Sequence, residues 1–130
     1  MTKEQIVNTK EQIIRDYFDS WVKKDFSKLD QWFEQDMFYR ECYGATYQDL
    51  AELKAYIKVA AQKQTVLKWT IFKIEQTTSG QFVVTWFFQA REEKEYCFDG
   101  VSLIDFSGLK IKRVVEYSTE HKTYRPYQIK

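Results

Sequence analysis

The apolar positions of the first 64 residues recur at helical spacing. A helix over residues 3–24 is predicted by a stripe that contains Ile6, Ile13, Ile14, Tyr17, Phe18, Trp21 and Val22. A second helix is predicted over Phe26–Gln35, with Ser27 or Asp25 as its cap, and a third from Asp49 to about Gln64. Between them Met37–Tyr43 alternates as a strand does, and Gly44 ends it.

From Thr65 onward the apolar period changes to two. Strands around Leu67–Ile71 and Val84–Phe88 flank the turn at residues 77–80, and strands Tyr96–Phe106 and Leu109–Ser118 follow. Helices that precede a run of long strands are typical of α+β domains. We therefore expect N-terminal helices packed in the concavity of a strongly curved antiparallel sheet. No repeat or linker interrupts residues 1–130, which predicts a single domain.

Charge and composition exclude several function classes. The chain of 130 residues has a formal net charge of +1, so neither nucleic acid nor an anionic membrane is an expected partner. The most apolar stretch, Phe82–Ala90, is too short for a membrane helix. No secretory signal is visible at the start, which indicates a cytoplasmic protein.

Metal and cofactor chemistry are not expected either. Cys42 and Cys97 form no CxxC motif and have no metal-ligand spacing, which favours two buried, reduced thiols. No phosphate-cradling glycine loop is present. His121, the only histidine, sits in a polar segment and is interpreted as a solvated surface residue. The tail Tyr124–Tyr127 is expected to pack across the sheet.

A set of ordered motifs carries a family resemblance over nearly the whole chain. Its parts are Tyr17-Phe18-x-x-Trp21, Phe33-x-x-Asp36, Tyr39-x-Glu41-x-x-Gly44, Val84-x-Trp86, Phe98-Asp99-Gly100-Val101-Ser102, Lys110-Ile111 and Glu116-Tyr117. The chain resembles the nuclear-transport-factor-2-like superfamily, and within it the SnoaL-like group. The resemblance implies a cystatin-like cone and homodimerisation through the sheet, and it is compatible with enzymes, ligand binders and protein adaptors.

Three residues resemble the catalytic set of the ketosteroid isomerase branch. That resemblance implies that Tyr17 is an oxyanion-hole tyrosine, Glu41 the carboxylate base and Asp99 a protonated acid. Such a set removes a proton next to a carbonyl and stabilises the enolate oxygen. The chain departs from the pattern in having Glu rather than Asp at the base position, with Cys42 where the isomerases have proline.

Strand alternation gives an independent reason to place two of these residues in a pocket. Asp99 shares a strand face with Cys97, Val101 and Leu103, and Glu41 shares one with Tyr39. A carboxylate on an apolar face is costly unless it is paired, protonated or open to a wet pocket. Aromatic residues and a further acid are expected on the same wall as ligand-binding groups, namely Tyr39, Trp69, Trp86 and Glu116.

Each site residue also has a structural interpretation. Tyr17 lies on the buried face of its helix and could be a core aromatic, while Asp99 precedes Gly100 and could belong to a strand bulge. Glu41 could bond to Arg40 of a second copy, to Arg113 or to solvent.

Two classes of function follow. The first is a pocket for a small apolar ligand, with proton-transfer chemistry such as isomerisation, dehydration or cyclisation of a carbonyl compound. The second is a non-catalytic ligand-binding, dimerisation or protein-interaction module that uses the open sheet face.

Overall fold

The computed structural model describes residues 1–129. The helices are α1 (Lys3–Lys23), α2 (Leu29–Trp32) and α3 (Leu50–Lys63). The strands are β1 (Phe33–Arg40), β2 (Thr46–Tyr47), β3 (Thr65–Gln76), β4 (Phe82–Arg91), β5 (Glu95–Ser107) and β6 (Lys110–Glu120). The predicted order of a helix pair, a strand, a third helix and four long strands is confirmed. Among residues 1–129, no helix combines the length and the apolarity needed to span a membrane.

The first helix is fixed at both ends by its own sequence. The Thr2 hydroxyl accepts a hydrogen bond from the Gln5 backbone N–H, and the Gln5 side chain accepts one from the Thr2 N–H, which together form a capping box. Lys24 ends the helix in the left-handed region at φ 54°. The side chains that α1 buries include Tyr17 and Trp21, which turn toward the sheet.

The second helix is far shorter than predicted. The Asp25 carboxylate accepts hydrogen bonds from the Ser27 backbone N–H and hydroxyl, so these residues form a turn before the helix begins at Leu29. The chain is already extended at Phe33, which is fully buried and pairs with Ile111. Burial of Phe33 in the sheet therefore overrides the helical pattern beyond Trp32.

The six strands form one curved, unclosed sheet in the order β2-β1-β6-β5-β4-β3. All neighbouring pairs are antiparallel except β1 and β6, which run parallel and correct the expectation of an all-antiparallel sheet. Helix α1 packs against β3 and α3 against β1, so the helices cover the concave face. The predicted α+β architecture is confirmed.

Candidate functional site

A cavity lies between the helices and the concave face of the sheet. Its water-accessible volume is about 50 Å³, enough for a few waters or the head of a small molecule. Nine of its fourteen lining residues are aromatic: Tyr17, Trp21, Tyr39, Tyr43, Tyr56, Trp69, Trp86, Phe88 and Phe98. The others are Glu41, Cys42, Leu53, Gln64 and Glu116.

Glu116 is the most deeply buried acid of this cavity. It projects from β6, is 5% exposed, and pairs across the sheet with Ser102 of β5. The Ser102 hydroxyl donates to Glu116 Oε2 at 2.8 Å, and Ser102 Oγ in turn accepts from Trp86 Nε1 at 2.9 Å. Strand pairing therefore builds the first arm of a hydrogen-bond chain that ends on the carboxylate.

A second arm reaches Glu116 from the helical side. Trp21 Nε1 donates to the Tyr17 hydroxyl at 3.1 Å, and the Tyr17 hydroxyl donates to the Tyr39 hydroxyl at 3.0 Å. The Tyr39 hydroxyl lies close enough to the Glu116 carboxyl to stabilise its charge by hydrogen bonding. We call these two arms, with Glu116 where they meet, the donor chain.

The direction of the donor chain is fixed at both outer ends. An indole nitrogen is a donor only, so Trp21 and Trp86 must donate. Tyr17 and Ser102 each accept from an indole and have one proton left to pass on. All donors therefore point toward Glu116. A proton carried by Glu116 itself has no acceptor along the chain and must be directed elsewhere, and the cavity is the adjoining space.

Burial tunes the pKa of Glu116 to a value useful for proton transfer. Desolvation raises it from the usual 4.5 to about 7, and the charge of Glu41 adds to the increase. The hydrogen bonds from Ser102 and Tyr39 act in the opposite direction but are weaker. Near pH 7 this carboxyl is thus present in both protonation states.

Glu41 is the more exposed acid of the cavity. It lies just beyond β1 in a tight turn, where its N–H donates to the Ala45 carbonyl at 2.9 Å and Gly44 adopts φ 101°. The prediction that Met37–Tyr43 is one strand is therefore wrong at its end. Burial raises the pKa of Glu41, while hydrogen bonds from Tyr56 and Tyr47 lower it. These two tyrosines take the place of the basic or solvent partners considered from the sequence.

Asp99 does not share the cavity with Tyr17 and Glu41. The inner face of β5 carries Tyr96, Phe98, Gly100, Ser102 and Ile104, so Asp99 projects from the opposite, outer face. Its Oδ1 lies 2.8 Å from His121 Nδ1. The expectation that Asp99 faces the pocket is wrong. Asp99 shares its strand face with the residues predicted for it, but that face is the outer one. The strand is regular here, without a bulge at Asp99.

Trp86 is held in place by a glycine. Gly100 lies opposite Trp86 in the β4–β5 register, and a Cβ atom built on it would come within 2.2 Å of Trp86 Cη2. Only glycine lets the indole lie this close to the strand, where its N–H reaches Ser102. Trp69 completes the same aromatic wall, since its ring packs edge-on with Trp86 at 5.5 Å and stacks on Phe18 at 4.0 Å.

Three further expectations about single residues change. Cys97 is exposed rather than buried, because it shares the outer face with Asp99, and Cys42 is half-buried in the cavity wall. Tyr124 and Tyr127 are 81% and 93% exposed, so the tail does not pack across the sheet. His121 is half-exposed, as predicted, but it is paired with Asp99.

The structure adds residues that were not predicted from the sequence. Trp21, Ser102 and Tyr56 belong to the cavity or to the donor chain, together with the predicted Tyr17, Tyr39, Glu41, Trp69, Trp86 and Glu116. Ser102 is fully buried in a strand. The signal available in the sequence was a polar residue on the same strand face as Gly100, two positions after it.

Comparison with known proteins identifies the family. The sequence profile of the SnoaL-like domain matches residues 14–114. No curated protein gives a significant sequence match. Among solved structures, a proposed isomerase from Bacillus subtilis superposes with a TM-score of 0.78 at 12% identity, covering 88% of each chain.

Two other solved structures have the same fold. A proposed SnoaL-like polyketide cyclase from Shewanella denitrificans gives a TM-score of 0.71 at 14% identity, covering 85% of this chain and 90% of the other. A protein of ketosteroid-isomerase-like fold from Catenulispora acidiphila, solved with trimethylamine, gives 0.71 at 15% identity, covering 81% and 83%. With the profile match over most of its length, this chain belongs to the SnoaL-like domain family.

Proposed function

We propose that this protein binds a small, largely apolar carbonyl compound in its cavity and that Glu116 exchanges a proton with the carbon next to the carbonyl. The observation that carries the proposal is the geometry of the donor chain. It brings a buried carboxyl with a pKa of about 7 to a cavity wall and leaves its own proton without an acceptor along the donor chain. Proton transfer is most efficient when the pKa of the group lies near the working pH.

In the proposed step, the Glu116 carboxylate removes the α-proton and becomes a carboxylic acid. The electrons of the broken C–H bond form a carbon–carbon double bond, and those of the carbonyl move onto its oxygen. Where the compound has a double bond next to its α-carbon, the electron pair also reaches the far end of that double bond, and return of the proton from Glu116 to that carbon would complete an isomerisation, so no co-reactant is needed. Ser102 and Tyr39 already stabilise the charged carboxylate, and they hold it in one orientation.

Glu41 is the second polar group that the ligand would meet. Burial raises the pKa of its carboxyl, and the hydroxyls of Tyr56 and Tyr47 act to lower it. Stabilising the developing enolate oxygen needs a donor at the cavity wall, and Glu41 can fill that role only while its carboxyl carries a proton. Tyr17, which the resemblance assigns to that task, has its one proton committed to Tyr39. In this proposal Tyr17 orients the donor chain and does not bind the substrate oxygen.

The proposal is tested by deuterium exchange. 4,4-Dimethylcyclohexanone is incubated with the protein in D₂O, and uptake at the α-carbons is followed by NMR. We expect wild-type protein to accelerate uptake, with a rate that rises with pH through about 7 as Glu116 ionises. Glu116→Gln should remove the acceleration, whereas Asp99→Asn, which makes the same change on the outer face, should keep it. Acceleration that survives in Glu116→Gln would refute the role of Glu116.

A second proposal concerns the outer face of the sheet, through which we infer that two copies of the chain form a homodimer. Tyr117 of β6 is 52% exposed, and it pairs in the sheet with Val101, which is half-buried. Leu103, one step along the same face, is also half-buried. A second copy would cover this apolar row. Light scattering after gel filtration should give twice the chain mass for wild type and the single-chain mass for Val101→Lys; monomeric wild type at micromolar concentration would exclude the dimer.

A further inference from the structure

The cavity combines aromatic walls with two acids and lacks a basic residue. Nine of the fourteen lining residues are aromatic, two are glutamates, and within residues 1–129 no Lys, Arg or His lines it. Aromatic faces carry negative potential, so walls of this kind attract cations. The negative groups are thus gathered around the space that a ligand would fill. Arg40, whose Nη1 donates to the Glu116 backbone carbonyl at 3.2 Å, is not part of the cavity lining.

A bound cation would reduce the free-energy cost of keeping the two acids charged. Burial opposes the charge of Glu41 and of Glu116, and each interaction that relieves the cost is a hydrogen bond from a hydroxyl. No Lys or Arg is among the groups that set either pKa. A neutral ligand would leave this cost in place, and an anion would increase it. A cation would stabilise both carboxylates at once.

The shape of the aromatic wall suits a rounded group. Trp69 meets Trp86 at 86° and Phe88 at 88°, with ring centroids 5.5 and 5.4 Å apart. Tyr17 meets Trp69 at 62°. Rings at steep angles form a corner rather than a flat stack. A flat ring would contact one wall of such a corner, whereas a compact alkylated head contacts several.

The cost of leaving water favours an alkylated cation. A primary ammonium has three N–H donors and needs three acceptors when it leaves water. The tyrosine and serine hydroxyls of the donor chain are already committed toward Glu116, which leaves the two carboxyls as the free charged acceptors. A tertiary ammonium needs one acceptor and a quaternary ammonium none. Heavily alkylated heads also lose less hydration on burial.

We propose that the molecule held in this cavity carries a tertiary or quaternary alkylammonium group, which packs against the aromatic corner beside Glu41 and Glu116. The inference rests on the proposed function, because it names the ligand class of the same cavity. It goes beyond it in predicting that charge, and not only apolar shape, selects the ligand.

The test compares two molecules of nearly the same shape. Choline carries a trimethylammonium head, and 3,3-dimethylbutan-1-ol replaces its nitrogen by carbon. Titration calorimetry of wild-type protein at pH 8 should show choline binding about tenfold or more tightly than the alcohol. The preference should increase from pH 6 to pH 8 as Glu116 ionises, with Ser102, Tyr39 and Glu41 facing it.

Variants assign the preference to the two acids. Glu41→Gln and Glu116→Gln should each reduce the preference for choline several-fold, while Glu4→Gln, an exposed acid in the first turn of α1, should keep it. Circular dichroism of each variant checks that it is folded, and the comparison in wild type stands without them.

The outcomes separate this inference from the proposed function. Equal or tighter binding of the neutral alcohol overturns the inference, and so does the absence of binding by both molecules. In either case the deuterium exchange of 4,4-dimethylcyclohexanone decides the proposed function independently. Preferential binding of choline that is lost in Glu116→Gln and kept in Glu4→Gln supports the inference even when no exchange is catalysed.

Discussion

Replacing Gly100 by alanine should disrupt the wall of the cavity through one added methyl group. A Cβ atom at this position would lie 2.2, 2.5 and 2.6 Å from Trp86 Cη2, Cζ2 and Cζ3. Trp86 is 2% exposed and cannot turn toward solvent. The indole must therefore shift, and its hydrogen bond to Ser102, 2.9 Å long in the present arrangement, must lengthen or break.

The expected cost combines two effects. Overpacking of a core by a methyl group costs about 1–3 kcal/mol. A buried indole N–H that loses its acceptor costs roughly another 1–3 kcal/mol. The two overlap, because the movement that relieves the clash is the one that breaks the bond. We expect a loss of about 3 kcal/mol in the free energy of unfolding, which for a chain of this length lowers the melting temperature by about 10 °C.

Urea denaturation followed by tryptophan fluorescence and circular dichroism measures this loss. The matched control is Gly108→Ala, where a Cβ meets nothing within 4 Å but φ is +58°, so that only backbone strain of about 1 kcal/mol is expected. In a Trp86→Phe background the three clashing atoms are absent, so Gly100→Ala should cost much less there. A cost no greater than that of Gly108→Ala, or an unchanged cost in the Trp86→Phe background, would refute the reasoning.

Three further predictions follow from the site. Glu116 has a pKa of about 7 in the folded protein against 4.5 normally, so the folded state keeps its proton to a higher pH than the unfolded chain does. The free energy of unfolding should therefore fall by about 3 kcal/mol between pH 4.5 and 8, and urea titrations of Glu116→Gln should lack that fall. Asp99→Asn removes a partly exposed pair with His121 and should change the free energy of unfolding by less than about 1 kcal/mol. Choline binding should stay as in wild type, and a large loss of binding would contradict the outer position of Asp99. Iodoacetamide labelling followed by peptide mass spectrometry should modify exposed Cys97 well before Cys42, whose pKa is raised by burial, and equal rates would contradict the buried setting of Cys42.

The sequence predicted the order of the main helices and strands, but not the short extent of α2, the strand β2 or the side of the sheet that a strand residue faces. Alternation groups Asp99 with Cys97 and Val101 correctly, yet it does not reveal which row faces the helices. The buried row contains Gly100 and Ser102, which are less apolar than the residues of the exposed row. It is buried because Trp86 fills the space above Gly100, a relation between two strands that no single strand displays.

The site was predicted best where one element defines it. The helical stripe placed Tyr17 inside, and Glu116 on the last strand, which was expected among the ligand-binding groups, is buried and lines the cavity. Glu41 was placed on a strand, whereas Gly44 bends the chain early and leaves it in a turn. Its partners Tyr47 and Tyr56 come from β2 and α3, and only the folded chain brings them to it.

The parallel pairing of β1 with β6 has a consequence for how the protein is made. Strand β1 has α1 and α3 beside it early in synthesis, but its sheet partner spans Lys110–Glu120, near the other end of the chain. Closing so long a loop is slow, and it must await translation of β6. Until β6 leaves the ribosome, one edge of β1 has no partner strand, and the apolar residues of β1 are accessible to chaperones or prone to aggregation. The carboxyl of Glu116 arrives with that same strand, so the cavity acquires the more deeply buried of its two acids only when β6 pairs with β1.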